Sequence, residues 1–171
     1  MCESTVRLSC LTLSADGKFF AAAEGEPNEK GQANIYLYEI ATQRLVNCLN
    51  FFEKGIQSMA FAANGKILVA VGVASEGLLC VFNVNEGSVV KSTIMRCHAV
   101  NKVVVDPNLD EGEGVEFITI GSKGTFTMWK LDEVEDLGIE LVFSAVTMKE
   151  ELKECDFVTA TYTPTILTLG G

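Results

Sequence analysis

The sequence is poor in residues on which several classes of protein depend. Its 171 residues include 1 His, and 13 Lys and Arg stand against 23 Asp and Glu, which gives a net charge of −10. The chain therefore lacks the basic stripe with which nucleic-acid-binding proteins neutralise phosphates. Its longest apolar run, at residues 67–73, is far shorter than the ~18 residues that cross a membrane. We expect neither a nucleic-acid partner nor membrane insertion.

A secretory signal and a cysteine framework are also missing. The first residues, Met1, Cys2 and Glu3, do not form a basic stretch followed by an apolar core. The 6 cysteines are scattered and contain no C-x-x-C pair. We interpret them as reduced thiols, mostly small core residues, as in a cytosolic or cytoskeletal protein.

The acidic excess is present in one third of the chain only. Residues 1–105 carry nine acidic and nine basic side chains, so their charges cancel. Residues 106–156 carry fourteen acidic and four basic side chains, which accounts for the whole −10. Since 48% of the residues are hydrophobic, the chain as a whole is not a disordered acidic tail.

Apolar residues fall in short runs rich in Val, Ile, Phe and Thr, separated by Gly, Asn, Asp and Ser. This pattern predicts many short antiparallel strands. Asp16-Gly17 recurs 48 residues later as Asn64-Gly65, each between two apolar runs, and such pairs are strong hairpin signals. The only predicted helix is a short one at residues 148–154.

A larger repeat contains these hairpins. Tyr38, Phe82 and Trp129 stand at one position of the pattern, 44 and 47 residues apart, each followed by a polar residue, an aliphatic residue and a turn. The repeating unit is therefore four strands, close to the ~40–45 residues of a propeller blade.

With these units the sequence resembles the WD-repeat β-propeller family. His98 stands roughly where the family has Gly-His before the first strand of a unit, with Cys97 in place of the Gly. The family's buried Asp-His-Ser-Trp set is incomplete in every unit, so the repeats are degenerate. The family usually has Trp-Asp at the end of the third strand of a unit. The corresponding pairs in this sequence are Tyr38-Glu39, Phe82-Asn83 and Trp129-Lys130.

Within that family, the chain is similar to the axonemal, cilia- and flagella-associated WD-repeat proteins and the related echinoderm-microtubule-associated-like proteins. The similarity rests on Gly25 with a nine-residue insertion before the strand that begins near Asn34. It also rests on the patterns at residues 61–73 and 117–129. The resemblance implies a non-enzymatic scaffold in the axoneme, with axonemal or microtubule-associated complex subunits as partners.

The predicted fold class is all-β, an incomplete β-propeller of about three and a half four-stranded blades. Propellers typically close into a ring with ~4–8 blades. We therefore expect that further blades from the same or another chain are needed to close this one. The predicted units are WD-repeat blades at residues 5–52, 55–97 and 99–147, and the start of a truncated blade at 155–171.

An acidic stretch has the spacing of a calcium loop but lacks its key residues. Asp106, Asn108 and Asp110 have the spacing of an EF-hand, yet Glu111 stands at its glycine position and Phe117 at its bidentate glutamate position. We interpret residues 106–113 as a solvated loop between strands.

No catalytic or cofactor-binding set is apparent. Nothing in the sequence brings a nucleophile to His98, and Cys97 beside it would point to the other face of a strand. Residues 121–124 lack the G-x-x-x-x-G-K-[ST] pattern of a phosphate loop. We therefore expect no catalytic residue, no metal site and no cofactor, and an enzyme is the least favoured hypothesis.

Two polar segments are candidates for contacts with partner proteins. Residues 24–31 read either as a plain long hairpin or as a contact loop, and the plain hairpin is favoured. The acidic stretches at residues 132–140 and 149–156 are expected to gather charge along one edge, suited to a basic partner. The candidate interaction residues are Glu24, Glu26, Asn28, Glu29, Lys30, Asp132, Glu133, Glu135 and Asp136.

Two functional hypotheses remain open. The first is a scaffold in a larger ciliary or microtubule-associated protein, located in the cytoskeleton of the axoneme, and the insertion after Gly25 favours it. The alternative is a general cytoplasmic WD-repeat adaptor, of a trafficking or ubiquitin-ligase type, with no ciliary role.

Overall fold

The computed structural model describes residues 7–62, 65–95, 99–105, 115–134, 138–145, 155–162 and 167–170. Within these ranges the chain forms fourteen β-strands in four antiparallel sheets. The first sheet contains β1 (Leu8–Leu13), β2 (Phe19–Glu24), β3 (Ala33–Glu39) and β4 (Arg44–Phe52). The second contains β5 (Ile56–Ala62), β6 (Ile67–Gly72), β7 (Leu78–Asn83) and β8 (Ser88–Ile94).

The other two sheets follow in the same order along the chain. The third contains β9 (Val100–Val105), β10 (Val115–Gly121), β11 (Phe126–Val134) and β12 (Gly138–Ala145). The fourth contains the pair β13 (Thr159–Tyr162) and β14 (Leu167–Gly170). Each sheet is a meander in which consecutive strands are hydrogen-bonded neighbours.

The hairpins form where the turn residues predict them. Gly17 and Gly65 both have positive φ angles, 70° and 83°, which residues with a Cβ adopt only at a cost. The first turn is closed by the Gly17 N–H, which donates to the Ser14 carbonyl at 3.0 Å. The two glycines lie at equivalent turns of the first two sheets, 48 residues apart, as the repeat requires.

A second repeated feature aligns the three four-stranded sheets. In each, the register between the first two strands shifts by one residue next to the end of the second strand, opposite Glu24, Gly72 and Gly121. The strand pairing likewise places Tyr38 opposite Phe20, Phe82 opposite Leu68, and Trp129 opposite Phe117. The predicted equivalence of these three aromatic residues is therefore present in the pairing.

The sheets pack face to face in chain order. We call the face of a sheet that points to the preceding sheet its leading face, and the opposite one its trailing face. The first interface joins trailing residues of the first sheet, among them Ile35 and Leu37, to leading residues of the second, among them Met59, Leu68 and Phe82. Burial of each such large side chain contributes about 1.5–3 kcal/mol to stability.

The second and third interfaces repeat this arrangement. Trailing residues Val69 and Val81 of the second sheet pack against leading residues Val103, Phe117 and Trp129 of the third. Trailing residues of the third sheet then meet the fourth sheet, in a cluster of Ile118, Ile120, Phe126, Phe157 and Ala160. In the described part of the chain, this row of three four-stranded sheets and one pair does not close into a ring.

The expected all-β, incomplete propeller is thus confirmed. The described residues contain no α-helix, and residues 148–154, where a short helix was predicted, lie outside them. In the part of the chain that the structure describes, no helix has the length and apolar character to cross a membrane.

The cysteines differ in their surroundings more than the sequence predicts. Cys80 is buried in the first interface, and burial raises the pKa of its thiol. Burial also raises the pKa of Cys10, and the Ser9 hydroxyl offsets this only in part. Cys48 is exposed on the outer strand β4 and is not one of the core cysteines. All three are free thiols.

Candidate interaction surface

The turns that join the strands lie at the two opposite ends of the sheets, which we call the upper end and the lower end. The upper end carries the turns between second and third strands and the connections from one sheet to the next. The lower end carries the remaining turns. At this upper end the Val73 N–H, after β6, donates to the Gly55 carbonyl, before β5, at 3.0 Å and extends the pairing of these two strands. The first and second sheets approach each other here, because a Cβ on Gly55 would overlap the Gly25 carbonyl oxygen.

The longest described turn between a second and a third strand belongs to the first sheet. Eight residues, 25–32, separate β2 from β3, compared with five between β6 and β7 and four between β10 and β11. We call residues 25–32 the upper loop. Its length agrees with the predicted insertion after Gly25, and it places four of the nine candidate residues on one turn.

The upper loop is braced within itself by Asn28. The Oδ1 atom of Asn28 accepts the Lys30 N–H at 2.9 Å and the Gln32 N–H at 3.4 Å. Its backbone carbonyl accepts the Gly31 N–H at 2.9 Å, and Gly31 has the positive φ of 73° that this turn needs. Asn28 thus shapes the loop, as Asn does in many turns.

The upper loop is also tied to the strand β1. The Gly25 N–H donates to the Arg7 carbonyl at 2.9 Å, and the Arg7 guanidinium pairs with Glu26 at 3.2 Å. Both side chains of that ion pair are largely exposed, so the pair stabilises little. The tip presents Glu26, Glu29 and Lys30 to solvent.

Glu24 does not present its carboxylate to a partner. It is the last residue of β2 and is 2% exposed. One carboxylate oxygen accepts the Asn34 N–H at 2.7 Å, and the other accepts the Tyr36 hydroxyl at 2.7 Å. Glu24 therefore stabilises the base of the upper loop. The prediction that it lies in an exposed loop is wrong, because its side chain is buried.

Tyr36 completes this group. The Asn34 amide, which donates to the Tyr36 hydroxyl, lowers the pKa of Tyr36, but the hydrogen bond to Glu24, burial and the Glu24 charge together raise it. One feature of the sequence could have indicated a special role for Glu24. It stands at the position that Gly72 and Gly121 occupy in the other two four-stranded sheets. The partners of Glu24 are ten and twelve residues away, which composition and periodicity did not reveal.

The second candidate group lies at the other end of the sheets. Asp132 is opposite Glu140 near the lower end of β11 and β12, far from the upper loop. The Glu133 side chain and residues Glu135 and Asp136 lie outside what the structure describes. Asp132 and the candidate residues of the upper loop therefore lie at opposite ends of the sheets, and the part of all nine candidates in partner contacts stays a prediction.

Lysines neutralise the acidic side chains that can be described in the third sheet. Lys130 lies 3.3 Å from Asp132 and 3.9 Å from Glu116, and Lys91 of the second sheet lies 3.2 Å from Glu140. The bridge between Lys130 and Asp132 lies within β11, whereas Lys130 to Glu116 joins two strands and Lys91 to Glu140 joins two sheets. The last two could not be predicted from the sequence, because their members are distant along the chain. They reduce the charge that this group presents to solvent.

The described members of the two acidic stretches do not lie at one end of the sheets. Asp132 lies near the lower end of the third sheet, whereas Asp156 accepts the Lys123 N–H at 3.0 Å at its upper end. The expectation that both acidic stretches share one edge is therefore wrong for these two residues. Most of the second stretch, residues 149–154, lies outside the described ranges.

The buried polar groups serve structure. The Trp129 indole N–H donates to the Thr119 hydroxyl at 2.9 Å, and the Ser58 hydroxyl accepts the Val103 N–H at 3.0 Å between the second and third sheets. Every buried side-chain nitrogen or oxygen that the structure describes has a hydrogen-bond partner. Such satisfied groups make a rigid frame.

Only one of the segments that resemble a ligand-binding or catalytic motif lies within the described residues. Residues 122–125 form the turn between β10 and β11, and the Gly124 N–H donates to the Cys155 carbonyl at 2.7 Å. His98 and residues 106–113 lie outside the described ranges. Among the residues that are described, no three His, Cys, Asp or Glu side chains form a group able to hold a metal ion.

Comparison with known proteins gives matches both in sequence and in structure. No family model matches the chain. It is 26% identical over 129 residues to the cilia- and flagella-associated protein 52 of Mus musculus, which covers 73% of this chain and 20% of the relative. The chain thus spans about a fifth of the length of that relative.

The structural match is the β-propeller domain of Cps50 (Swd1) from Myceliophteria thermophila. The TM-score is 0.72 at 13% sequence identity, over 97% of this chain and 49% of that one. At this identity the match shows the fold alone. The chain therefore has the β-propeller fold, and the predicted resemblance to WD-repeat propellers with cilia- and flagella-associated relatives is confirmed.

Proposed function

We propose that the chain is part of a non-enzymatic scaffold of the ciliary or flagellar axoneme, which holds other proteins through loops at its upper end. The observation that carries this proposal is the upper loop. It is long, fixed at both ends by the sheet, and exposed at its tip. A loop ordered before binding loses less conformational entropy when a partner is bound.

The frame beneath the loop has the properties of a support. Its sheets are joined by continuous apolar interfaces, and its described buried polar groups are satisfied by hydrogen bonds. Rigid sheets that carry variable loops are a common basis for binding, because the loop sequence can change without loss of the core. Function in this arrangement lies in the loops, and the fold alone does not specify the partner.

The ciliary location rests on the curated relative. Its name assigns it to cilia and flagella, and the match covers 73% of this chain. Because the chain spans only 20% of that relative, the location and the partners of the whole relative are carried over here as part of the proposal.

The test is the location of the tagged full-length protein in ciliated cells. We expect it to remain in the axoneme after the membrane and soluble proteins are extracted with detergent. Replacing Glu26, Glu29 and Lys30 by Ala should reduce this retention, because these side chains form the exposed tip. The matched control replaces Arg44 and Glu86, exposed at the lower end, and should not change retention.

Two results would contradict the proposal. A diffuse cytosolic signal in ciliated cells would support the general adaptor instead. Equal retention of the tip variant and the control variant would show that the upper loop does not hold the partners.

A further inference from the structure

The outer strand of the third sheet, β12, has a regular edge. It pairs with β11 at eight consecutive positions, from Gly138 opposite Val134 to Ala145 opposite Thr127, without a shift in register. No other described strand is hydrogen-bonded to the opposite side of β12. Every second residue of such an edge strand points its N–H and C=O away from the sheet. The edge is therefore a template on which a further strand can pair.

The outer strands of the first two sheets are less regular. Between β3 and β4 the register shifts at two places, and one of these shifts leaves Val46 with no residue opposite it. Between β7 and β8 a shift leaves Val90 in the same situation. Such bulges interrupt the row of backbone groups and increase the local twist, which protects an edge against pairing. Among the three outer strands that the structure describes, β12 alone lacks this protection.

The charges on the three outer strands differ in the same direction. Basic side chains on an edge strand oppose pairing with another strand. The strand β4 begins with the exposed Arg44, and β8 carries Lys91. The sequence of β12, GIELVFSA, contains no basic residue, and the carboxylate of its one acidic residue, Glu140, lies 3.2 Å from the Lys91 ammonium. The edge of β12 thus carries no basic side chain of its own.

The middle of β12 offers apolar side chains on both faces of the sheet. Val142 is 49% exposed, and Phe143, which points to the opposite face, is 63% exposed. The Phe143 ring lies against Trp129, with centroids 5.4 Å apart, and Trp129 stacks on Phe117 with centroids 6.1 Å apart. Phe143 is therefore exposed but supported from within, so a partner that packs against it loses less free energy in ordering this chain.

We propose that β12 binds an extended segment of another protein, which adds to the third sheet as a fifth, antiparallel strand. An antiparallel strand continues the order of the sheet and pairs slightly better per residue than a parallel one. The segment places β-branched or aromatic residues beside Val142 and Phe143. Main-chain hydrogen bonds hold the segment, and these side chains select it. This inference concerns a second surface, and it depends neither on the upper loop nor on a location in the axoneme.

The charge beside this edge specifies a second property of the segment. Residues 132–140, which include the end of β11 and the start of β12, carry five acidic and no basic side chains. Lys130 pairs with Asp132 and Lys91 with Glu140, which offsets two of the five charges. A segment with Lys or Arg beside the lower end of β12 offsets more of them. Since an antiparallel segment runs from the upper to the lower end, its apolar residues come first and its basic residues follow.

A second copy of this chain fits the edge less well than such a segment. The β12 strand of a second copy has no Lys or Arg to set against residues 132–140. Pairing of two β12 strands would therefore leave both acidic segments without an additional cation. Charge complementarity favours a basic segment of a different protein as the occupant, and pairing between copies is an outcome that the tests below detect.

The first test identifies the segment. A photo-crosslinking amino acid replaces Ser144, which is exposed on β12, in the full-length protein in its own cells. The crosslinked peptides, identified by mass spectrometry, should come from one segment in which β-branched or aromatic residues are followed by Lys or Arg. The matched control carries the same amino acid at Asn50, which is exposed on β4, and should give no such common segment.

Two matched valines separate the regular edge of β12 from the bulged edge of β4. Val142→Lys places a cation on the regular edge, whereas Val46→Lys places one at the bulge, and the two valines are 49% and 44% exposed. We expect Val142→Lys to reduce the crosslink yield at position 144 about tenfold, and Val46→Lys to leave it unchanged. Urea unfolding of both variants shows whether each keeps its fold.

The second test leaves the protein unchanged. The crosslinked segment is synthesised as a peptide in two N-methylated forms, each methylated at one of the two alternating sets of residues. Only one set points its N–H groups to β12 in an antiparallel strand. Methylation of that set should weaken binding to the wild-type protein about tenfold or more, whereas methylation of the other set should have little effect.

Three results would overturn the proposal. The first is a set of crosslinks from position 144 that share no segment, or that lead to β12 of another copy. The second is equal binding of the two methylated peptides, which would mean that side chains or charge alone make the contact. The third is an equal loss of crosslinks in folded Val142→Lys and Val46→Lys variants.

Discussion

Glu24 shows how one residue can define the base of a loop. Its carboxylate is 2% exposed, and both oxygens accept hydrogen bonds, from the Asn34 N–H and the Tyr36 hydroxyl. Hydrogen bonds to a charged acceptor are stronger than neutral ones, so these two fix the first residues of β3 relative to β2. The upper loop between them can then be long without being loosely attached.

We expect Glu24→Ala to lower the free energy of unfolding by about 2 kcal/mol, because it leaves the Asn34 N–H and the Tyr36 hydroxyl without their acceptor. Urea denaturation followed by tryptophan fluorescence measures this change. The matched control is Glu26→Ala, which removes only an exposed ion pair and should change stability by less than about 0.5 kcal/mol. Equal effects of the two variants would contradict the role given to Glu24.

Asp16 gives a prediction for the dependence of stability on pH. Hydrogen bonds from the Ser14 hydroxyl and the Lys18 N–H lower its pKa from 3.8 to about 2. Because the folded-state pKa is the lower one, the stabilisation is present above pH 3.8 and is lost as the pH falls towards 2. The lower-end turn between β1 and β2 should therefore weaken in acid.

The measurement is the urea midpoint of the wild type and of Asp16→Asn at several pH values between 6 and 2. We expect the difference between the two proteins to shrink as the pH falls below about 4, since protonation removes the charge that the variant lacks. A difference that stays constant over this range would show that the charge of Asp16 does not contribute.

At the scale of the strand and the turn, the sequence carries much of the information. The strands and the first two hairpins follow from alternating apolar residues and from Gly17 and Gly65, which are local signals. The burial of Glu24 and the bridge between Lys130 and Glu116 on the neighbouring strand could not be predicted in this way. They depend on which strands become neighbours, which is decided by packing of whole sheets.

The connection from the first sheet to the second depends on Gly55. Its φ is 134°, and a Cβ at this position would overlap the Gly25 carbonyl at the base of the upper loop. We expect Gly55→Ala to destabilise the protein by about 2 kcal/mol or more, because both the backbone angle and the space forbid a side chain. The change is read from thermal or urea unfolding.

Gly31→Ala is the matched control for this position. Gly31 has a positive φ of 73° but open space around it, so only the angle opposes a side chain. Its cost should be about 1 kcal/mol. If Gly55→Ala proved no more costly than Gly31→Ala, the close approach of the two sheets at Gly55 would be wrong.

Asp132 and the acidic residues that follow it in the sequence allow a test of whether their negative charge binds a partner. Reversal of Asp132, Glu133, Glu135 and Asp136 to Lys should weaken axonemal retention if a basic partner binds there. It should also loosen the bridge between Lys130 and Asp132, so stability is measured in parallel. Unchanged retention of a stably folded variant would remove this group as a contact site.

At the scale of the whole molecule, the acidic side chains that the structure describes do not share one surface. Asp132 lies near the lower end of the third sheet, opposite the end that carries the upper loop, and Asp156 lies at the upper end of the third sheet. Periodicity predicted the propeller because every unit repeats the same local pattern. It could not predict which loops share an end, because that depends on the direction of each strand within its sheet.

The central claim is that the upper end holds axonemal partners, and lysine crosslinking of isolated axonemes followed by mass spectrometry tests it most directly. Lys30 lies on the upper loop and Lys18 on a lower-end turn, and both are exposed, so they form a matched pair within one protein. We predict crosslinks from Lys30 to other axonemal proteins, and few from Lys18. Crosslinks to other proteins from Lys18 and none from Lys30 would contradict the account.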